Sequence, residues 1–164
     1  MRPWVLLGGA AVAFIAWRVL RNPYSYGGAP LQAGVDRDPH HLVPTFAADL
    51  EQLFKRMRGR GFNPLLWEGY RTPARAAELA KRGVGIVGSM HEYGLAADIV
   101  DGDTPQDMWA GRPGFWQALG EEARRLGLVW GGDWKKPDLS HVQGISVTAE
   151  AAWRQQFRPK VFPV

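Results

Sequence analysis

Apolar residues recur at helical spacing in the first third of the chain. One face of the pattern is formed by five residues: Phe46, Leu50, Leu53, Phe54 and Met57. This periodicity predicts an amphipathic helix over residues 44–58 that ends at Gly59. A second helix is predicted to begin at Thr72 and Pro73, because a Thr hydroxyl caps a helix and Pro suits its first position. Gly83 would end it.

Two further helices and three short strands follow from the same pattern. Gly127 would end a helix whose apolar face contains Phe115, Trp116, Leu119, Ala123 and Leu126. Thr148 is predicted to cap a last helix that extends to Phe157. Three short apolar stretches predict strands, at residues 62–67, 95–100 and 141–147. Helices and strands without a regular alternating order predict an α+β domain built around a small antiparallel sheet.

The N-terminus has a pattern of its own. Between Arg2 and Arg18 lies the uncharged, mostly apolar run PWVLLGGAAVAFIAW. The run is shorter than the roughly 20 residues of a typical spanning helix, although it extends to Leu20 if the Arg18 side chain snorkels. It predicts an apolar helix in residues 1–21 that serves as a membrane anchor or a cleaved signal segment. A buried helix of the soluble domain is the third alternative.

The remainder of the chain predicts one domain. Residues 22–38 contain Pro, Gly, Asn and Ser without periodicity, which indicates a linker. Residues 39–164 would form the domain. The full length of 164 residues, 46% of them hydrophobic, suits a single core with a short appendage.

Charge and cysteine content narrow the possible functions. The net charge is +4 and the sequence pI is about 9.7, which favours anionic partners such as lipid, cell wall or nucleic acid. Nucleic acid is not expected, because no Arg/Lys run, RNP-like stretch or zinc-finger spacing accompanies the charge. Cysteine is absent. Any metal site must therefore use His and carboxylate ligands.

The first stretch with candidate chemistry is S-M-H-E-Y-G-L-A-A-D at residues 89–98. A loop can present His91, and Gly94 permits a tight turn into the strand that follows. Asp98 then projects from a mostly apolar strand. A buried carboxylate is costly unless it is paired or bound to a metal.

The second stretch is G-L-V-W-G-G-D-W-K-K-P-D-L-S-H-V-Q, which contains Asp138 and His141. If His141 opens a strand beside the strand that carries Asp98, its imidazole completes a set with His91 and Asp98. Three protein ligands and one open position are typical of catalytic zinc. Asp138 would then lie where a general base can take a proton from water. A single His is more often a structural residue than a metal ligand. His40 lies beside another His at a predicted helix start, where capping or solvent exposure explains it.

Together these segments resemble the paired signatures of the zinc D-alanyl-D-alanine carboxypeptidase and L-alanyl-D-glutamate endopeptidase family. The first signature is S-x-H-x-x-G-x-A-x-D, which residues 89–98 match at every specified position. The second, in the endopeptidase branch, is W-G-G-D-W followed by an acid three residues before His, as at residues 130–141. A third match is E-G-Y-R-T at residues 68–72. The resemblance covers about residues 38–145.

The resemblance implies a role for each matched residue. The zinc ligands would be His91, Asp98 and His141. Asp138 would be the catalytic acid or base, at a position where the family often has Glu, and Arg71 would bind or polarise the substrate. The substrate-binding residues would be Arg71, Ser89, Trp130 and Trp134. The implied fold is a small α+β domain similar to the Hedgehog signalling domain.

The leading functional hypothesis is a zinc peptidase that cuts the L-alanyl-D-glutamate bond of peptidoglycan stem peptides, as an endolysin or a wall-remodelling enzyme. A D-alanyl-D-alanine carboxypeptidase is the nearest alternative. Two further alternatives are a non-catalytic wall-binding module and a membrane-anchored domain with another role. We expect a monomer that faces the periplasm or the exterior from the membrane, or that is secreted.

Overall fold

The computed structural model describes residues 34–104 and 106–157, which form four α-helices and four β-strands. The helices are α1 (Pro44–Gly59), α2 (Pro73–Lys81), α3 (Phe115–Arg125) and α4 (Val147–Gln156). The strands are β1 (Pro64–Glu68), β2 (Ala96–Asp101), β3 (Val129–Trp130) and β4 (His141–Gln143). There are also three single-turn 3-10 helices: Pro39–His41 precedes α1, Met90–Tyr93 precedes β2, and Gly131–Asp133 follows β3.

The four strands form one antiparallel sheet in the order β1-β2-β4-β3. Helices α1 and α3 contact each other, α1 contacts β1, and α3 contacts β3. The core contains the buried apolar face of α1 (Phe46, Leu50, Leu53, Phe54 and Met57). Strand β2 is buried along its whole length. The predicted α+β architecture around a small antiparallel sheet is confirmed.

Most predicted boundaries lie close to the observed ones. The Thr72 side chain caps α2 by accepting a hydrogen bond from the backbone N–H of Arg75, at 3.2 Å. Gly83 and Gly127 follow α2 and α3 with φ of +72° and +75°. These left-handed conformations favour glycine and prevent the helices from continuing.

The predicted cap at Thr148 is wrong, because α4 is capped by Ser146, whose hydroxyl accepts from the N–H of Ala149 at 3.2 Å. Strand β4 is also shorter than predicted and ends at Gln143. Gln143 pairs with the first residue of β2, so the next positions of β4 would lie opposite the turn at Gly94. A strand cannot extend where its partner has already turned away.

The part of the predicted linker that the structure describes contacts the domain. The carbonyl oxygen of Asp36 accepts from the N–H of Gly69 at 2.8 Å, and the Arg37 guanidinium lies 4.9 Å from the Trp67 ring centre. The predicted apolar helix at residues 1–21 lies outside the described residues. Within the described ranges, no helix has both the length and the apolarity that crossing a membrane requires.

Candidate metal centre and its cleft

A capped turn presents His91. Ser89 caps the 3-10 helix Met90–Tyr93, and the Glu92 carboxylate accepts from the backbone N–H of Ser89, at 3.1 Å. Gly94 ends this turn with φ of +68°. The chain then enters β2, so the predicted loop, tight glycine turn and strand are all observed.

Strand pairing places Asp98 directly opposite His141, at the first position of β4. The Asp98 Oδ1 atom lies 3.3 Å from Nε2 of His91 and 3.4 Å from Nδ1 of His141. One ligand atom from each of the three residues lies within 4.8 Å of the other two, and all three residues are buried. The structure therefore brings together the three residues that the sequence predicts as a ligand set.

The hydrogen bond on the far side of the His91 ring determines its tautomer. Nδ1 lies 2.6 Å from the carbonyl oxygen of Gly69, which can only accept. Nδ1 therefore carries the proton, and Nε2 presents a lone pair towards Asp98. This buried Nε2 has no hydrogen-bond partner among the described residues. A buried acceptor without a donor indicates a site for a cation.

Hydrogen bonds favour the opposite tautomer for the His141 ring, with the proton on Nε2. Its Nε2 lies 3.1 Å from Oε1 of Gln143. The Gln143 amide nitrogen donates to the carbonyl oxygen of Ile145 at 2.7 Å and to the Glu150 carboxylate at 2.8 Å. Since both of these partners only accept, the amide oxygen must face His141, and Nε2 of His141 carries the proton. The lone pair of Nδ1 then points towards Asp98.

These contacts match the donor set of zinc. Two imidazole nitrogens and one carboxylate oxygen are ordinary zinc ligands, and tetrahedral zinc at about 2.1 Å separates its ligand atoms by roughly 3.4 Å. The two distances to Asp98 Oδ1, 3.3 and 3.4 Å, agree with that spacing. The second ligand layer, a backbone carbonyl for His91 and an amide for His141, is also typical of zinc sites.

The electrostatics of the three residues favour the charged form of Asp98. Burial acts to raise the pKa of Asp98, but when His91 and His141 are protonated their charges and hydrogen bonds outweigh burial and hold the pKa well below its usual range. Burial acts to lower the pKa of His141, whereas the hydrogen bond that a protonated Nδ1 makes with Asp98, together with the charge of Asp98, raises it above its ordinary value. A metal must therefore compete with a proton at His141.

Arg71 is fixed beside the ligand set by two carboxylates. Its Nε and Nη2 donate to Oε2 of Glu68 at 3.1 and 2.5 Å, and Nη2 also donates to Oδ2 of Asp98 at 3.3 Å. Glu68 accepts from Arg75 as well, at 2.5 Å. The family resemblance implies a role for Arg71 towards substrate, and the structure adds a contact with the second oxygen of Asp98.

A cleft of about 710 Å³ opens over the ligand set. Of the other predicted site residues, it is lined by Arg71, Ser89, Trp134 and Asp138. Trp130 is not among the lining residues. Its ring packs against Gly120 of α3, and its indole N–H donates to the carbonyl oxygen of Leu139 at 2.8 Å. Trp130 therefore contacts the loop that carries Asp138 without lining the cleft.

Several residues of the cleft were not predicted from the sequence: Trp109, Trp116, Lys136, Gln143, Glu150 and Arg154. Gln143 had a detectable signal, because it lies two residues after His141 and therefore on the same face of β4. The residues of α4 had none, since they enter the cleft only through tertiary packing.

Asp138 and Glu92 are the two acids nearest in sequence to the predicted histidine ligands, and their surroundings differ. Asp138 is exposed in the cleft, and its Oδ1 accepts from the Ser140 hydroxyl at 3.0 Å. Glu92 is buried and accepts from the backbone N–H groups of Gly88 and Ser89. Its hydrogen bonds make Glu92 a capping residue, so Asp138 is the acid placed to exchange protons with a ligand in the cleft.

Glycine at position 131 has a steric reason. A Cβ there would lie 2.5 Å from the carbonyl oxygen of Asp138 and 3.1 Å from Cβ of His141. The N–H of Asp138 also donates to the carbonyl oxygen of Gly131, at 3.0 Å. The first glycine of W-G-G-D-W therefore lets the loop with Asp138 lie against the start of β4.

Replacing Gly131 with alanine is expected to displace the loop that carries Asp138, the predicted general base, and to lower kcat by about 10-fold or more, since misplacing a catalytic group by about 1 Å is costly. The measurement is kcat and zinc content of Gly131→Ala. The matched control is Gly59→Ala, because a Cβ at Gly59, in α1, meets nothing within 4 Å. Equal kcat for the two variants would contradict the steric argument.

The sequence of this chain matches a protein-family model and a bacterial relative. The family model described as D-alanyl-D-alanine carboxypeptidase matches residues 82–144, which include His91, Asp98 and His141. The chain is 31% identical over 126 residues to the peptidoglycan L-alanyl-D-glutamate endopeptidase CwlK of Bacillus subtilis. That match covers 65% of this chain and 75% of CwlK.

Two solved structures align with most of this chain. The structure of the LdcB LD-carboxypeptidase has a TM-score of 0.53 at 15% identity and covers 81% of this chain and 69% of its own. The Serratia marcescens L-Ala D-Glu endopeptidase ChiX has a TM-score of 0.48 at 24% identity and covers 68% of this chain and 86% of its own. At 15% identity, the likeness to LdcB concerns the fold.

Proposed function

This chain belongs to the family of zinc peptidases that comprises D-alanyl-D-alanine carboxypeptidases and L-alanyl-D-glutamate endopeptidases, and we propose that it cuts the L-alanyl-D-glutamate bond of peptidoglycan stem peptides. Membership confirms the predicted class, a hydrolase, and the predicted cofactor, zinc. The choice of bond is supported by the identity to CwlK. The W-G-G-D-W segment at residues 130–134 supports the same choice.

We assign the zinc ligands to Nε2 of His91, Oδ1 of Asp98 and Nδ1 of His141. The assignment is supported by the convergence of these three acceptors and by the hydrogen bonds that orient both rings. Zinc, when bound, supplies a Lewis acid that polarises a carbonyl group and makes water more acidic.

Asp138 is assigned as the general base and acid. Ser140 donates to its Oδ1, which orients the carboxylate. The exposed carboxylate can take a proton from the water that attacks the scissile carbonyl carbon. The same group then gives that proton to the leaving amine nitrogen, so the peptide bond breaks and Asp138 returns to its ionised form.

Arg71 is assigned to substrate orientation. Its described hydrogen bonds use Nε and Nη2, and the two Nη1 hydrogens have no partner among the described residues. Because Glu68 holds the guanidinium in place, Nη1 can donate to a substrate carbonyl or carboxylate without first being ordered. This placement supports the role that the family resemblance implies.

A D-alanyl-D-alanine carboxypeptidase is the second candidate. It is favoured by the family model that matches residues 82–144. The two activities differ in the bond cut, so their products differ. The endopeptidase leaves L-Ala on the glycan and a new amino-terminal D-Glu, whereas the carboxypeptidase releases free D-Ala.

The test is digestion of purified peptidoglycan with the zinc-loaded protein, followed by mass spectrometry of the new termini. We expect new amino-terminal D-Glu and no release of D-Ala. Release of D-Ala without new D-Glu termini would replace the endopeptidase by the carboxypeptidase. Neither product, from protein that holds one zinc per chain, would favour a wall-binding module.

The apolar run before residue 21 supports a further part of the proposal, export to the side of the membrane where the wall lies. In a bacterial host we expect the full-length protein in the membrane fraction, accessible to protease added from the periplasmic side. A variant without residues 2–21 should be soluble and confined to the cytoplasm. Full-length protein found soluble and cytoplasmic at unchanged size would contradict the anchor.

A further inference from the structure

Helix α4 lies on the domain through polar contacts. None of its ten residues, Val147–Gln156, is fully buried, and its apolar contribution to the core is the partly buried Trp153. Two side chains of α4, Glu150 and Arg154, form hydrogen bonds with other elements and line the cleft. The residues that they contact, Gln143 and Gly88, lie close in sequence to His141 and His91.

The first contact controls the amide of Gln143. The Glu150 carboxylate accepts one amide hydrogen at 2.8 Å, and the carbonyl oxygen of Ile145 accepts the other at 2.7 Å. Both amide hydrogens are therefore used, and the amide oxygen is left for Nε2–H of His141. Glu150 thus acts on the ring of His141 through one intervening side chain.

The second contact reaches the segment that carries His91. Nε of Arg154 donates to the carbonyl oxygen of Gly88 at 2.7 Å, and Nη2 donates to the second oxygen of Glu150 at 2.5 Å. Gly88 immediately precedes Ser89, the cap of the turn with His91. One Arg–Glu pair on α4 therefore connects the two segments from which the histidines project.

We propose that Glu150 and Arg154 are positioning residues, and that α4 acts as a clamp that selects the zinc-binding tautomer of His141 and joins its strand to the His91 turn. The inference rests on the proposed ligand set. It assigns to the C-terminal helix, which lies outside both signature motifs, a part in metal affinity.

The isosteric substitution Glu150→Gln tests the proposed role of Glu150 most directly. An amide at position 150 can donate as well as accept, so only one of the two acceptors, the carbonyl oxygen of Ile145, still requires the Gln143 amide to point its oxygen at His141. A flipped Gln143 would donate to Nε2 and move the His141 proton to Nδ1, where it blocks zinc. Loss of a partner in the second ligand layer commonly costs about 10–100-fold in metal affinity. Because Glu150 acts through Gln143, we expect about 10-fold.

A matched control lies on α2. Glu78 and Arg82 form an i,i+4 pair at 3.5 Å, with the same spacing as Glu150 and Arg154, and both are well exposed. Glu78→Gln makes the same chemical change on a helical Glu–Arg pair that does not contact the ligand set. His141→Ala serves as the reference for a lost ligand.

Two measurements are made on the full-length protein and on these three variants. The zinc dissociation constant is obtained by competition with a chromophoric chelator. The His141 tautomer in metal-free protein is obtained from two-bond ¹H–¹⁵N correlations, at a pH where the ring is neutral. The tautomer measurement is independent of zinc and of activity, and it remains valid if Glu150→Gln lowers the melting temperature.

We expect Glu150→Gln to weaken zinc binding about 10-fold and to show proton density on Nδ1 of His141, while Glu78→Gln matches the unmodified protein. If Glu150→Gln matches Glu78→Gln in both measurements and His141→Ala loses zinc, the clamp is wrong and the ligand set stands. If His141→Ala keeps zinc at unchanged affinity, the proposed ligand set itself is wrong.

Discussion

Replacing His141 with alanine is expected to abolish stoichiometric zinc binding and, with it, all measurable peptidase activity. Only His91 and Asp98 would remain as ligands, and two ligands hold zinc poorly. The measurement is elemental analysis of protein purified without chelator, before and after zinc is added. Because a proton competes with the metal for the imidazole of His141, whose pKa is raised, zinc content of the unmodified protein should also fall as the pH is lowered.

His40→Ala is the control for this experiment. His40 is exposed, and among the described residues its side chain forms a hydrogen bond only with Asp38, at 2.7 Å, so its loss should leave zinc content at about one per chain. Stoichiometric zinc in His141→Ala at unchanged affinity would mean that the metal binds elsewhere. Loss of zinc in both variants would show that the His40 turn affects the site.

Replacing Asp138 with asparagine is expected to leave zinc content unchanged and to lower kcat by about 10²-fold or more. An amide cannot accept the proton of the attacking water, and general acid–base catalysis typically contributes 10²–10⁴-fold. Asp138→Glu should keep part of the activity, because it restores a carboxylate at a slightly longer reach. Turnover of purified wall peptides under saturating zinc is the measurement.

Asp133→Asn is the matched control in the same loop. Asp133 is half-exposed and pairs with Arg124 at 2.6 Å, and it does not line the cleft. We expect its kcat to equal that of the unmodified protein. If Asp138→Asn also turns over at that rate, the proton transfer belongs to another residue, and Glu92 would have to leave its capping contacts to provide it.

Several features of this protein follow from local sequence. The periodic apolar face of α1, the Thr72 cap of α2 and the glycines after α2 and α3 depend on neighbours within a few residues, and all are observed. The convergence of His91, Asp98 and His141 could also be predicted. Asp98 and His141 each occur in a short motif with a specific spacing, and the α+β pattern places both motifs on strands.

Other features depend on contacts between distant residues. The end of β4 at Gln143 is set by the turn of its partner at Gly94, about 50 residues earlier, so strand propensity alone predicts too long a strand. Trp130 and Trp134 are equivalent in the motif, yet the structure places only Trp134 in the cleft. Packing of Trp130 against Gly120 decides this difference, and no local pattern records it.

Sequence therefore determined which residue types are available for the chemistry, since motif spacing and the lack of cysteine leave His and carboxylate as ligands. Tertiary structure decided the tautomer of each histidine proposed as a ligand. The tautomer of His91 depends on the carbonyl oxygen of Gly69, 22 residues away, and that of His141 on an amide held by α4. A lone pair is directed by its hydrogen-bonded surroundings, which exist only after distant segments have packed together.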